Sequence, residues 1–157
     1  MKKNKIKISF IIMIIWVAVI FAFSLQPAKD SSRLSLGVGY FLTKLLPGEI
    51  SETILSLRPL QLSFLHTLLR KAGHFTEYFI LGMLSINAFL RIEFSYKKWL
   101  GLWLCILVAA MDETIQLFVS GRSGQITDVL LDSVGALCGI LIVLLIRKLI
   151  GSGRNKI

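Results

Sequence analysis

Residues 99–146 read WLGLWLCILVAAMDETIQLFVSGRSGQITDVLLDSVGALCGILIVLLI. A helix needs about 20 mostly apolar residues, at ~1.5 Å rise each, to cross ~30 Å of hydrocarbon. Two such runs stand here, at 99–119 and 126–146, joined by a short polar turn that holds Gly121, Arg122, Ser123 and Gly124. Glycine and small polar residues punctuate helices, so the stretch predicts a helical hairpin through a bilayer. Its acids stand beside the turn: Asp112 and Glu113 near the end of the first run, Asp128 and Asp132 at the start of the second.

Two further runs lie upstream, at 8–25 and 72–90. Hydrophobic residues make up 55% of the 157, and mean hydropathy is +0.74, above the ordinary globular share. The expected architecture is all-α: one integral-membrane four-helix bundle forming a single domain over residues 1–157. The first run also resembles a signal peptide, but its apolar stretch exceeds the usual ~7–15 residues and no A-x-A site follows it. It is expected to stay as a span.

The net charge of +9 comes from 18 Lys and Arg against 9 Asp and Glu. Most of the cations flank apolar runs, where they act as topology signals and contacts for anionic lipid. No module of stacking aromatics and basic residues is present, so nucleic acid is not an expected partner. With the N-terminus in the cytoplasm, the inner segments hold eleven cations: Lys2, Lys3, Lys5, Lys7, Arg91, Lys97, Lys98, Arg147, Lys148, Arg154 and Lys156. The outer segments hold seven (Lys29, Arg33, Lys44, Arg58, Arg70, Lys71 and Arg122), six of them in one long loop. Both termini are therefore expected to be cytoplasmic. That long outer loop, 26–71, is rich in leucine and broken at Pro47-Gly48 and Pro59, which predicts short amphipathic helices between helices 1 and 2. Cys105 and Cys138 lie inside apolar runs without paired spacing, so they read as packing residues.

The alternation of the spans brings the polar residues to one depth. His74 and Glu77 open the second span three residues apart, on one helical face. Asp112, Glu113 and Gln116 close the third, Asp128 and Asp132 open the fourth, and Ser24 and Gln26 close the first. A charge at the centre of a membrane helix costs about 2.5–3.5 kcal/mol on insertion scales, so it requires a partner, water or a function. Asp128 also suits the free N–H groups of a helix start, and interhelical hydrogen bonds would equally employ Asp112 and Glu113. Gly135 and Gly139 form a small-xxx-small pattern, which reads as a helix-contact surface.

At these residues the chain resembles the VanZ-like family of bacterial membrane proteins. The matching pieces are Phe23-Ser24-x-Gln26-Pro27, then Arg70-Lys71-x-x-His74-Phe75-x-Glu77-Tyr78. Asp112-Glu113-x-x-Gln116-x-Phe118-x-x-Gly121-Arg122 and Asp128-Val129-x-x-Asp132-x-x-Gly135 complete the set. The resemblance implies a multi-pass protein of the bacterial cell membrane with a role in the envelope, extending to tolerance of teicoplanin-type glycopeptides. It supplies no reaction.

Three functional classes follow. The leading one is an outward-facing polar pocket that binds, and processes, a lipid-linked or glycan headgroup, lined by Ser24, Gln26, Arg70, Lys71, Gln116 and Arg122. Its partners would be membrane lipids, a lipid-linked cell-wall precursor or a lipoglycopeptide. The second is a membrane hydrolase or transferase acting on a phospho- or glycolipid headgroup, with His74, Glu77, Asp112 and Glu113 as catalytic candidates. There Glu77 or Glu113 serves as general base, His74 as acid/base partner, and Arg122 holds a phosphate or carboxylate. A divalent cation on Glu113, Asp128 and Asp132 fits oxygen-ligand preferences. The third is proton- or ion-coupled transport, against which the inner halves of the four spans carry no ionisable residue.

Overall fold

The computed structural model describes residues 2–29, 37, 41 and 59–154. The described residues form four helices and no strand: α1 (Lys2–Ser24), α2 (Pro59–Phe89), α3 (Lys97–Gln116) and α4 (Ile126–Arg154). Helices α1, α3 and α4 are long and apolar enough to cross a membrane, with mean hydropathy of 2.7, 1.3 and 2.7 over their spanning segments. Helix α2 packs against all three others, while α1 and α4 each pack on α2 and α3.

The second helix begins earlier than the sequence pattern suggests. Residues 59–71 were expected to belong to the outer loop, yet they form the first turns of α2. Proline at the first helical position loses nothing, because its missing N–H would have had no partner there. From Pro59 to Phe89 no further proline interrupts the helix. The remainder of the expected amphipathic loop helices falls on residues 30–58, outside the described residues apart from 37 and 41. At the other boundaries, α3 stops at Gln116 and a turn covers 117–121, whereas the apolar run continues to Val119.

Polarity is distributed opposite to a soluble bundle. The outer faces carry Ile11, Ile14 and Ile15 on α1, Trp99, Trp103 and Leu107 on α3, and Leu130, Leu141 and Leu145 on α4, all exposed. Only 11% of the α1 spanning window is buried. The interior holds Tyr78, Leu81, Ile86 and Ala109, but also Ser24, Asp112, Glu113, Gln116, Asp128 and Asp132. Apolar faces outward and carboxylates inward suit a hydrocarbon solvent, where a side chain of high polarity must find its partners within the protein.

Parallel helices α2 and α4 meet through glycine. A Cβ on Gly135 would lie 2.7 Å from the Phe75 carbonyl oxygen, and one on Gly139 or Gly82 would collide with the backbone of Phe79 or Ala136. The glycines expected to form a helix contact therefore do so. The same register recurs where Arg147 Nη2 donates to Asn87 Oδ1 at 2.7 Å, so the two helices keep one alignment over roughly 18 Å at ~1.5 Å per residue.

Candidate functional site

Four helices deliver polar side chains to the level where α1 and α3 end and α4 begins. Ser24 is the last residue of α1; its Oγ is buried and donates to Asp112 Oδ1. Asp112, Glu113 and Gln116 occupy the last turns of α3, and all three are buried. The Gln116 side chain joins them, its Nε2 reaching Glu113 Oε1 at 3.2 Å, Asp112 Oδ2 at 3.4 Å and Ser24 Oγ at 3.4 Å. The Gln125 backbone N–H donates to Glu113 Oε2 at 2.8 Å, so both Glu113 oxygens are engaged. Trp16 Nε1 donates to the Glu77 carbonyl oxygen at 2.9 Å, tying α1 to α2; the Glu77 side chain is half-buried.

The basic residues separate into two roles. Lys71 Nζ forms an ion pair with Asp128 Oδ1, and Arg70 Nη2 stands 4.0 Å from Asp128 Oδ2. Both cations keep about a third of their side-chain surface exposed, 32% for Arg70 and 36% for Lys71, so they form the rim. Asp128 lies in the first turn of α4, where an acid suits the helix dipole, and its carboxylate holds this pair. Arg122 was expected to hold an anionic group, but its Nε donates to the Gln26 carbonyl oxygen at 2.9 Å and its Nη2 to that of Phe23 at 3.0 Å. It thereby fastens the α3–α4 turn to the end of α1. Burial and the neighbouring Arg70 hold its guanidinium below the ordinary value. Gln26 enters the site through its backbone carbonyl.

Beneath the rim lies a group of unsatisfied atoms. Asp132 has 0% exposure, and among the described residues neither of its carboxylate oxygens has a hydrogen-bond partner. Among the described residues, the hydroxyl of Tyr78, also 0% exposed, stands beside Asp112 without a well-formed hydrogen bond, and the buried His74 Nδ1 has no partner. One ligand atom from each of His74, Asp112 and Asp132 lies within 4.8 Å of the others. Of the carboxylates expected to share a cation, Asp132 is in this group, while Glu113 and Asp128 are engaged by Gln116, Gln125, Lys71 and Arg70. Tyr78 is the site residue that residue-type reasoning overlooked. Its signal was position: one helical turn after His74, on the same face.

Chemically, the arrangement offers acceptor oxygens and one imidazole in an interior floor, below two half-exposed cations. The VanZ/LLP1 family profile matches residues 9–147 of the chain. No curated protein and no solved structure matches it.

Proposed function

The chain belongs to the VanZ/LLP1 family, and on that premise we propose that it is a multi-pass cell-membrane protein whose polar cluster binds the anionic headgroup of a lipid. One observation carries this reading: a buried floor of Ser24, Asp112, Gln116 and Asp132 under an Arg70–Lys71 rim, in a bundle whose outer faces are apolar. Acyl chains would lie along those faces. A phosphate would meet the rim cations, and hydroxyl or amine groups of the headgroup would donate to the acids. In this reading all four helices span, both termini are cytoplasmic and the site opens outward.

Lipid retention tests the binding. The full chain purified in mild detergent should keep phosphatidylglycerol or a polyprenyl phosphate in preference to phosphatidylcholine, as read by native mass spectrometry. Replacing Arg70 and Lys71 together by Met should erase the preference. Equal retention of all three lipids, or an unchanged preference in the double variant, would sink the proposal. Orientation is tested separately. In a background with Cys105 and Cys138 replaced by Ala, a cysteine at Ser123 should react with an impermeant thiol reagent on intact cells, and one at Ser95 should not. The reverse pattern would place the site in the cytoplasm.

A second reading, hydrolysis or transfer at that headgroup, is favoured by the unpartnered His74 Nδ1 beside buried acids. A basic nitrogen without a protein partner is free to move a proton, typically worth ~10²–10⁴-fold in rate. His74→Gln should then leave lipid retention intact while abolishing an envelope phenotype such as glycopeptide susceptibility at unchanged membrane abundance. A wild-type phenotype in His74→Gln removes the catalytic reading.

A further inference from the structure

We propose that His74, Asp112 and Asp132 form a mononuclear site for a divalent transition-metal ion, Mn²⁺ or Zn²⁺. The argument begins with Asp132. Its side chain is fully enclosed, and among the described residues both oxygens lack partners. Burial is costly for an ionised carboxylate without a counter-charge and for any polar group without a hydrogen bond. A proton would give one oxygen a hydrogen to donate toward His74 or Asp112 but would leave the other oxygen bare. A cation would satisfy both oxygens.

The cations of the surrounding helices and turn are directed elsewhere. Lys71 and Arg70 face Asp128, and Arg122 serves the carbonyls of Phe23 and Gln26. Two carboxylates, Asp112 and Asp132, then stand beside the His74 imidazole, and a divalent ion would balance two carboxylate charges. Ligand atoms about 2.0–2.2 Å from an ion lie at most about 4.4 Å apart. The ligand atoms lie within 4.8 Å of one another, and an ion would draw them together through small side-chain rotations.

The neighbours of Asp112 fit the same reading. Ser24 donates to one of its oxygens and Gln116 reaches the other, which leaves a lone pair on each and orients the carboxylate. Outer donors of this kind support metal ligands in general. Ion identity follows from the donor set. Imidazole with carboxylates and no thiolate suits Mn²⁺ or Zn²⁺, whereas Ca²⁺ and Mg²⁺ favour oxygen alone. Three protein ligands leave positions for a headgroup oxygen or a water. The ion site extends the headgroup reading without depending on it.

The test uses the full chain in detergent, stripped with EDTA, desalted, and offered MnCl₂, ZnCl₂ or MgCl₂. Wild type should retain about one Mn²⁺ or Zn²⁺ per chain and gain thermal stability, because an ion bound by the folded state stabilises it. MgCl₂ should do neither. Asp132→Asn and His74→Gln should each weaken retention more than about tenfold, since even the loss of an outer-shell partner costs ~10–100-fold. Glu113→Gln and Asp128→Asn should retain the ion. No retention by wild type, equal retention by Asp132→Asn and His74→Gln, or a loss confined to Glu113→Gln and Asp128→Asn would each overturn the site. If Asp132→Asn does not fold, the wild-type stability shift and His74→Gln decide. Anionic lipid retained in EDTA by a wild-type chain that takes up no ion would overturn the metal site and leave headgroup binding standing.

Discussion

At the level of Ser24, Asp112 and Asp132 the helices meet through polar and ionisable side chains; farther along the bundle, α2, α3 and α4 meet almost backbone to backbone. In the second region Gly82 faces Ala136, Gly139 faces Phe79, and Ser85 lies between Gly82 and Gly101 with its Oγ 3.1 and 3.3 Å from their carbonyl oxygens. Cys105 Sγ in turn lies 3.5 Å from Ser85 Oγ. The unpartnered buried side-chain atoms among the described residues belong to His74, Tyr78 and Asp132. The fold satisfies its polar groups where it only has to pack, and it leaves capacity unused at a single level. Loose assembly would have scattered the shortfall, so the concentration points to a ligand.

The comparison breaks most severely at the packed region. Gly139→Leu should destabilise the chain by about 3 kcal/mol or more, because overpacking here meets backbone that cannot rotate away. Unfolding in mixed detergent–SDS micelles measures this, and a loss under ~1 kcal/mol would deny the close approach of α2 and α4. Next comes Arg122→Ala, which leaves the carbonyls of Phe23 and Gln26 without their donor and should cost about 2 kcal/mol in the same assay. If Arg122→Ala instead keeps full stability but loses anionic lipid, the guanidinium serves the ligand and not the turn. Trp16→Phe removes one interhelical hydrogen bond, for which ~0.6 kcal/mol is the membrane average; a loss several times larger would mark the α1–α2 contact as part of the site. The smallest effect is of opposite sign. A Cβ on Gly73 would meet nothing within 4 Å, so Gly73→Ala should stabilise the chain by about 0.5 kcal/mol through helix propensity. Destabilisation there would mean that a partner lies against this turn of α2.

Much of this arrangement was legible in the residues. Helix alternation alone places the ends of α1 and α3 beside the start of α4, so Ser24, Asp112 and Asp132 had to share a level. Gly135 and Gly139 announced a contact face by spacing. Pairing within the cluster was not legible, because it depends on how each helix is rotated about its axis. Asp112 and Glu113 are sequence neighbours about 100° apart on α3, and only packing decides that Asp112 joins His74 and Asp132 while Glu113 turns to Gln125. Arg122 reads as an anion holder by residue type, and nothing in its sequence neighbours reveals that it also ties the carbonyls at the end of α1. The early start of α2 was hidden by Pro59, which reads as a breaker inside a loop and as an initiator at a helix start.

The contact between Gly135 and Phe75 fixes a dimension. Phe75 follows His74 directly, and Gly135 lies three residues after Asp132 on the adjoining turn. The gap between the imidazole and that carboxylate is therefore referenced to two main chains already touching, like a gauge set against hard stops. Protein interiors resist compression, and no side-chain rearrangement brings two touching main chains closer. Whatever settles between these residues cannot make room by driving α2 and α4 together. Its adjustment falls to Asp112 on α3, whose hold is on Ser24 and Gln116 by side chains alone. One wall of the site sets the calibre, and the other takes up the slack.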